Sequence, residues 1–146
     1  MRLFEEVTKQ DKPDSNSHDI LLASLALLVE VAKSDHDIEH IEQQEIIAHA
    51  VKTFGIAQED QDALITQAEE VVNSSTSLYE YTSVINEKYS ESQKYQLIYA
   101  MWRVAFSDGR IDRYEEHLIR KVADLIYIPH VKFIQAKHQA SELKQG

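Results

Sequence analysis

The sequence predicts an all-α fold: a bundle of about seven helices, made of two pseudo-symmetric three-helix units plus one linking helix. Three observations carry this reading. Turn-forming residues are scarce, with three glycines and two prolines in 146 residues, which favours long helices over many short strands. Apolar residues recur at helical spacing through most of the chain. The chain also repeats itself. A shift of 73 residues places Val31, Ala32, Ser34, Asp35, Ile38, Glu42, Ile46 and Ala50 on Val104, Ala105, Ser107, Asp108, Ile111, Glu115, Ile119 and Ala123, all identities. Self-similarity at a fixed period marks a repeated unit.

A chain of this length forms one domain with a core of its own. Residues 1–17 are expected as a partly flexible N-terminal segment, with a small apolar cluster at Leu3, Phe4 and Val7 and a polar linker after it. Residues 18–146 form the helical domain, with repeat units at about 18–73 and 90–143. The first helix is expected from Ser17 to Ser34, capped by Ser17 or Asp19. Its middle is apolar nearly all round, which places it at the centre of the fold. A second helix over 39–54 turns Ile46, Ile47, Ala50, Val51 and Phe54 inward, and Gly55 stops it. A third over 58–73 buries Ala63, Leu64, Ala68, Val71 and Val72. The fourth, over 78–89, has no counterpart in the other half.

The pattern then restarts. Ser90 and Gln93 form a capping box, and the fifth helix runs to Ser107 with Leu97, Ile98, Met101, Trp102, Ala105 and Phe106 as its apolar wall. The sixth covers 112–127, with Leu118, Ile119, Val122, Ala123 and Ile126 inward. Pro129 suits the first turn of the seventh, over 129–143. The first and fifth helices are expected to pack at the centre around a pseudo-two-fold axis. Glu30 and Arg103 are equivalent in the repeat; they either pair across that axis or each find solvent or a separate partner.

Composition bounds function. There are no cysteines, which excludes disulfides, thiolate metal sites and thiol catalysis. A net charge of -10 disfavours nucleic acid and anionic lipid as partners and fits a cation or a basic surface. The N-terminus does not resemble a signal peptide. The longest apolar run, Ile20 to Ala32, is too short to span a bilayer. The protein is placed in the bacterial cytoplasm, with no membrane insertion.

The candidate chemistry lies in two acidic turns, S-D-H-D-I-E-H-I-E at Ser34 to Glu42 and S-D-G-R-I-D-R-Y-E at Ser107 to Glu115. Asp108 to Glu115 matches the last eight positions of a calcium-binding EF-hand loop. Such a loop also needs oxygen ligands four and two residues upstream of its first Asp in that stretch. Here those positions are Val104 and Phe106, and in the first copy Val31 and Lys33, so a standard EF-hand is excluded. Two readings stand for the second turn. In one it is a helix-turn-helix device: Gly109 ends one helix, Ile111 enters the core, Asp112 caps the next, and Glu115 completes the box. In the other its carboxylates bind a cation. The first turn fits capping less well, because His36 replaces the glycine and Glu39 the capping Asp. Its concentration of Asp35, His36, Asp37, Glu39, His40 and Glu42 repels itself unless a cation offsets it. Carboxylates suit calcium, magnesium or manganese, and an imidazole admits zinc.

At these residues the chain resembles the tellurite-resistance TerB family and its relatives. The resemblance rests on A-K-S-D-H-D-I-E-H-I-E at Ala32 to Glu42 and A-F-S-D-G-R-I-D-R-Y-E at Ala105 to Glu115, and spans about Asp19 to Ala140. It implies an all-helical, cytoplasmic module with a metal-linked acidic site. It further implies a part in the response to tellurite or other toxicants, with other Ter proteins as partners. The family's acidic positions fall on Asp35, Glu42, Asp108 and Glu115, with Asp112 as a weaker member. The chain departs from the pattern at His36.

The expected function is therefore a non-enzymatic module binding a cation or a partner protein. The alternatives are a metal-assisted hydrolase using Asp35, His36, His40 and Glu42 around one ion, and a scaffold whose acidic turns only cap helices. The scattered His18, His49, His117, His130 and His138 read as surface or boundary residues. Tyr79, Tyr81, Tyr89, Tyr95 and Tyr99 cluster near the fourth helix, where they bury their rings with wet hydroxyls or face a partner. No Gly-rich phosphate loop or nucleophile elbow is present.

Overall fold

The structure is a computed structural model that describes residues 12–33, 40–74, 77–107 and 113–145, with side chains from Asp19 to Glu142 within those ranges. The cluster at Leu3 to Val7 and residues 34–39, 75–76 and 108–112 lie outside the described residues. Seven α-helices are described: α1 (Lys12–Ala32), α2 (His40–Phe54), α3 (Gln61–Ser74), α4 (Tyr79–Lys88), α5 (Glu91–Phe106), α6 (Arg113–Leu125) and α7 (His130–Gln145). A 3-10 turn, Gln58–Asp60, leads into α3. No strand occurs among the described residues.

Two helices organise the core. In α1 every residue from Ile20 to Ala32 except Glu30 is buried, Ser24 included. The apolar run has no wet face because α1 is in contact with α2, α3, α4, α5 and α6. α5 is the second axis, packed against α1, α2, α6 and α7, with Leu97, Ile98, Met101, Trp102 and Ala105 fully buried. Several helix pairings recur across the repeat. α1 meets α2 and α3 as α5 meets α6 and α7, and α2 meets α5 as α6 meets α1.

Local signals end the helices largely where the sequence marks them. Ser90 caps α5 through both bonds of a capping box, Gln93 N–H to Ser90 Oγ at 3.2 Å and Ser90 N–H to Gln93 Oε1 at 2.8 Å. Gly55 follows α2 at φ 67, its N–H donating to the Val51 carbonyl at 2.9 Å. α1 starts earlier than the sequence suggests, at Lys12 instead of Ser17. Pro13 then falls in the first turn, where a proline removes no helical hydrogen bond. Burial also departs in detail. Val51 is 41% exposed and Ala63 is exposed, whereas Ile65 is buried.

Polar side chains join neighbouring helices across the bundle. Tyr89 and Ser24 hydroxyls share a hydrogen bond of 2.9 Å across α1. Tyr81, buried, donates to the Val71 carbonyl of α3 at 3.3 Å. Asn86 Nδ2 donates to the Leu125 carbonyl at 3.0 Å, satisfying one of the free carbonyls at the end of α6. Tyr95 Oη donates to Gln139 Oε1 at 2.7 Å. The hydroxyls expected to be wet are thus bonded to protein at Tyr81, Tyr89 and Tyr95.

The end of α6 carries a backbone outlier. Tyr127 has φ 64, the only non-glycine with positive φ among the described residues. Ile128 N–H reaches back to the Ala123 carbonyl at 2.8 Å, the long bond of a Schellman cap with Tyr127 at the left-handed position that usually holds glycine. The sequence reading continues the helix through Tyr127; the structure ends it at Leu125, because Pro129 cannot extend it and no glycine is at hand. Tyr127 is 78% exposed, so little packing offsets the strain. Tyr127→Gly is expected to raise stability by about 0.5 kcal/mol, the backbone relief less the lost ring contact and glycine's extra chain entropy. Tyr127→Val is expected to lower it by about 1 kcal/mol, since a β-branched side chain resists this conformation. Urea unfolding monitored by circular dichroism distinguishes the two.

Candidate functional site

Each acidic turn delivers one carboxylate into the first turn of the helix that follows it. Glu42 lies in the first turn of α2 and Glu115 in the first turn of α6. Their exposures are 0% and 2%, values rare for glutamate. The cause is register. Glu42, Ile46 and Ala50 stand four residues apart and are all buried, and so are Glu115, Ile119 and Ala123. Each glutamate therefore occupies the first position of its helix's core stripe. Both are engaged in a polar interaction. The positive end of the helix dipole favours a carboxylate there. A dipole worth under about 1 kcal/mol does not by itself offset the several kcal/mol of burying a carboxylate.

Asp35, Asp108 and Asp112 lie outside the described residues, as do His36, Gly109 and Ile111. Among the described residues no group of three or more His, Asp or Glu side chains is arranged to hold a metal ion. Val104 is buried within α5, with Phe106 as its last residue, which agrees with excluding an EF-hand. Ser107 is buried and donates through its hydroxyl to the Val104 carbonyl at 2.7 Å, a helix-end group, as its sequence position suggests. His117 is exposed while Glu115 is buried, so the two face apart. The same holds for His40, exposed, and Glu42, buried; two residues apart on one helix, they do not share one ion.

A second constellation, invisible in the repeat, lies between α2 and α5. Arg103 Nη2 donates to Glu45 Oε1 at 3.0 Å, so Arg103 pairs with a side chain of α2 and not with Glu30. The reason is geometric: α2 packs across α5, while Glu30 is left partly buried and its carboxyl pKa is raised by that burial, opposed by nearby Lys33. Beside this pair a cleft of about 460 Å³ is lined by His49, Lys52, Gln96 and Tyr99 among others. Burial pulls His49 down to about 4, with the Lys52 charge adding to the effect. Its Nδ1 lies 3.4 Å from Thr53 Oγ1. The other described histidines, His40, His117, His130 and His138, are exposed.

Fold and site together define an all-helical module with a buried glutamate after each of two repeated acidic turns. A family model described as "Tellurite resistance protein TerB" matches residues 21–138, and the chain belongs to that family. Comparison with curated proteins and comparison with solved structures give no match. No described helix is long and apolar enough to cross a membrane.

Proposed function

We propose that this TerB-family protein is a non-enzymatic cytoplasmic module that binds a divalent cation at its acidic turns. Asp35, Glu42, Asp108, Asp112 and Glu115 supply the oxygens. The observation that carries this is the placement of Glu42 and Glu115 at the head of two equivalent core stripes. A helix cap needs only an exposed carboxylate near its N-terminus, so capping leaves the burial unexplained in both copies. Carboxylate oxygens favour calcium, magnesium or manganese over zinc. The module has a pseudo-two-fold plan, supported by the matched helix pairings, so each repeat contributes one turn. Its role is in a response to tellurite or similar toxicants, with a further protein of that response as partner.

Calorimetric titration of metal-stripped protein with each of the four cations tests this. Saturable binding is expected, weakened at least tenfold in the double variant Glu42→Gln, Glu115→Gln, which keeps shape and removes charge. Absence of binding in the parent protein would mean that the turns serve only to join and cap helices.

A further inference from the structure

At the N-terminal end of α5, a cleft of about 450 Å³ opens between the start of that helix and the turn that joins α6 to α7. Its walls include Lys94, Tyr95, Tyr127, Pro129 and Lys132. That size is within the range of small-molecule sites. α5 has 16 residues, so roughly 20 Å of helix separates this cleft from the turn that precedes Glu115.

Tyr127 is the informative residue. It occupies a left-handed cap position at φ 64 that glycine fills without strain, and the residue is 78% exposed. Neither the backbone nor the core selects a tyrosine here. Strain kept at an exposed aromatic points to a use for the ring. Lys94 Nζ already stands 5.8 Å from the ring centroid, and Lys132 adds a second ammonium to the same cleft. Glu91 also lines it, leaving one net positive charge in a protein of net charge -10. A flat aromatic surface beside two ammonium groups suits a ligand with the same two parts in complementary form.

We propose that this cleft binds a small planar aromatic anion. Its ring packs on Tyr127 and Pro129, and its carboxylate or phosphate is held by Lys94 and Lys132. Aromatic stacking and charge pairing act at separate ends of the ligand, so each half alone binds more weakly than the whole.

The test is a titration of isotope-labelled protein followed by amide chemical shifts. The probes are adenosine monophosphate, benzoate, adenosine and inorganic phosphate. Saturable shifts are expected at residues 91–95 and 127–132 with the first two probes. Adenosine and phosphate alone should bind at least tenfold more weakly. Which of benzoate and the nucleotide binds more tightly tells carboxylate from phosphate. Tyr127→Gly should weaken binding at least tenfold although its unfolding temperature is no lower than the parent's, which separates lost contact from lost fold. Tyr127→Phe should retain binding, and the pair Lys94→Gln, Lys132→Gln should lose it. The proposal is overturned if no probe saturates, if the shifts map elsewhere, or if Tyr127→Gly binds as the parent does.

Discussion

Trp102→Ala will destabilise the protein by about 3–5 kcal/mol, the largest effect expected of any single truncation here. Trp102 is fully buried on α5 and packs against α7. Its ring stacks on Phe106 at 6.0 Å and meets Phe133 of α7 at 5.3 Å. Lys137 of α7 lies 5.3 Å from its centroid, and Arg120 of α6 lies 4.9 Å from the centroid of Phe133. Glu116 of α6 binds Lys137 at 3.4 Å around the same cluster. Truncation removes the transfer energy of the ring and leaves a cavity between α5 and α7 that the packed helices close only in part. Trp102→Phe should cost only about 1–2 kcal/mol. It keeps most of the packing and removes an indole Nε1 that is buried without a hydrogen-bond partner. Urea unfolding read by circular dichroism measures both, since the chain has one tryptophan and its fluorescence disappears with it. Equal losses for alanine and phenylalanine would contradict the packing account.

Acidification supplies the second large effect. His49 is held neutral by burial, its pKa pulled from 6.5 to about 4. The unfolded chain therefore takes up a proton that the folded chain refuses across that interval. The stability associated with a neutral His49 is complete above pH 6.5, declines as the pH falls, and is gone below about 4. A shift of this size is worth up to about 3 kcal/mol at about 1.4 kcal/mol per unit, and partial solvent contact at the cleft trims it to about 2. Glu30 works against it: burial raises its carboxyl pKa, so protonating Glu30 relieves a cost as the pH falls. The comparison of parent with His49→Gln isolates the histidine. The parent should lose about 2 kcal/mol more than the variant between pH 7 and pH 4. Parallel pH profiles for the two proteins would sink this assignment.

Features set by neighbours in the chain are legible in the sequence itself. The capping box at Ser90 and Gln93, the stop at Gly55 and the all-helical class depend on residues within one or two turns. The family resemblance is legible too, because its acidic motif is contiguous and occurs twice. What depends on packing is not. Repeat equivalence offers Glu30 as a partner for Arg103, but the way α2 crosses α5 presents Glu45. The glycine-free end of α6 gives no sign that Tyr127 takes the left-handed position, although Pro129 requires the helix to stop nearby. The burial of Glu42 and Glu115 is present in the spacing Glu-x-x-x-Ile-x-x-x-Ala of both copies, and escapes notice because glutamate at a helix start reads first as a surface residue. The cleft around His49 needs residues from two helices that are distant in sequence.

The burial of α1 on every side from Ile20 to Val29 also has a meaning for how the protein is made. An amphipathic helix can wait with its polar face in water; Ile20 to Val29 have no such face. Their cover includes α5 and α6, which begin at Glu91 and Arg113. At about 5–20 residues per second, several seconds of synthesis separate the appearance of α1 from that of α5. During that interval the nascent N-terminal half, in which only α2, α3 and α4 can cover α1, presents a partly uncovered apolar surface, the kind that chaperones bind and that aggregation recruits. The arrival of α5 and then α6 ends this exposure, so the second repeat acts as the folding partner of the first.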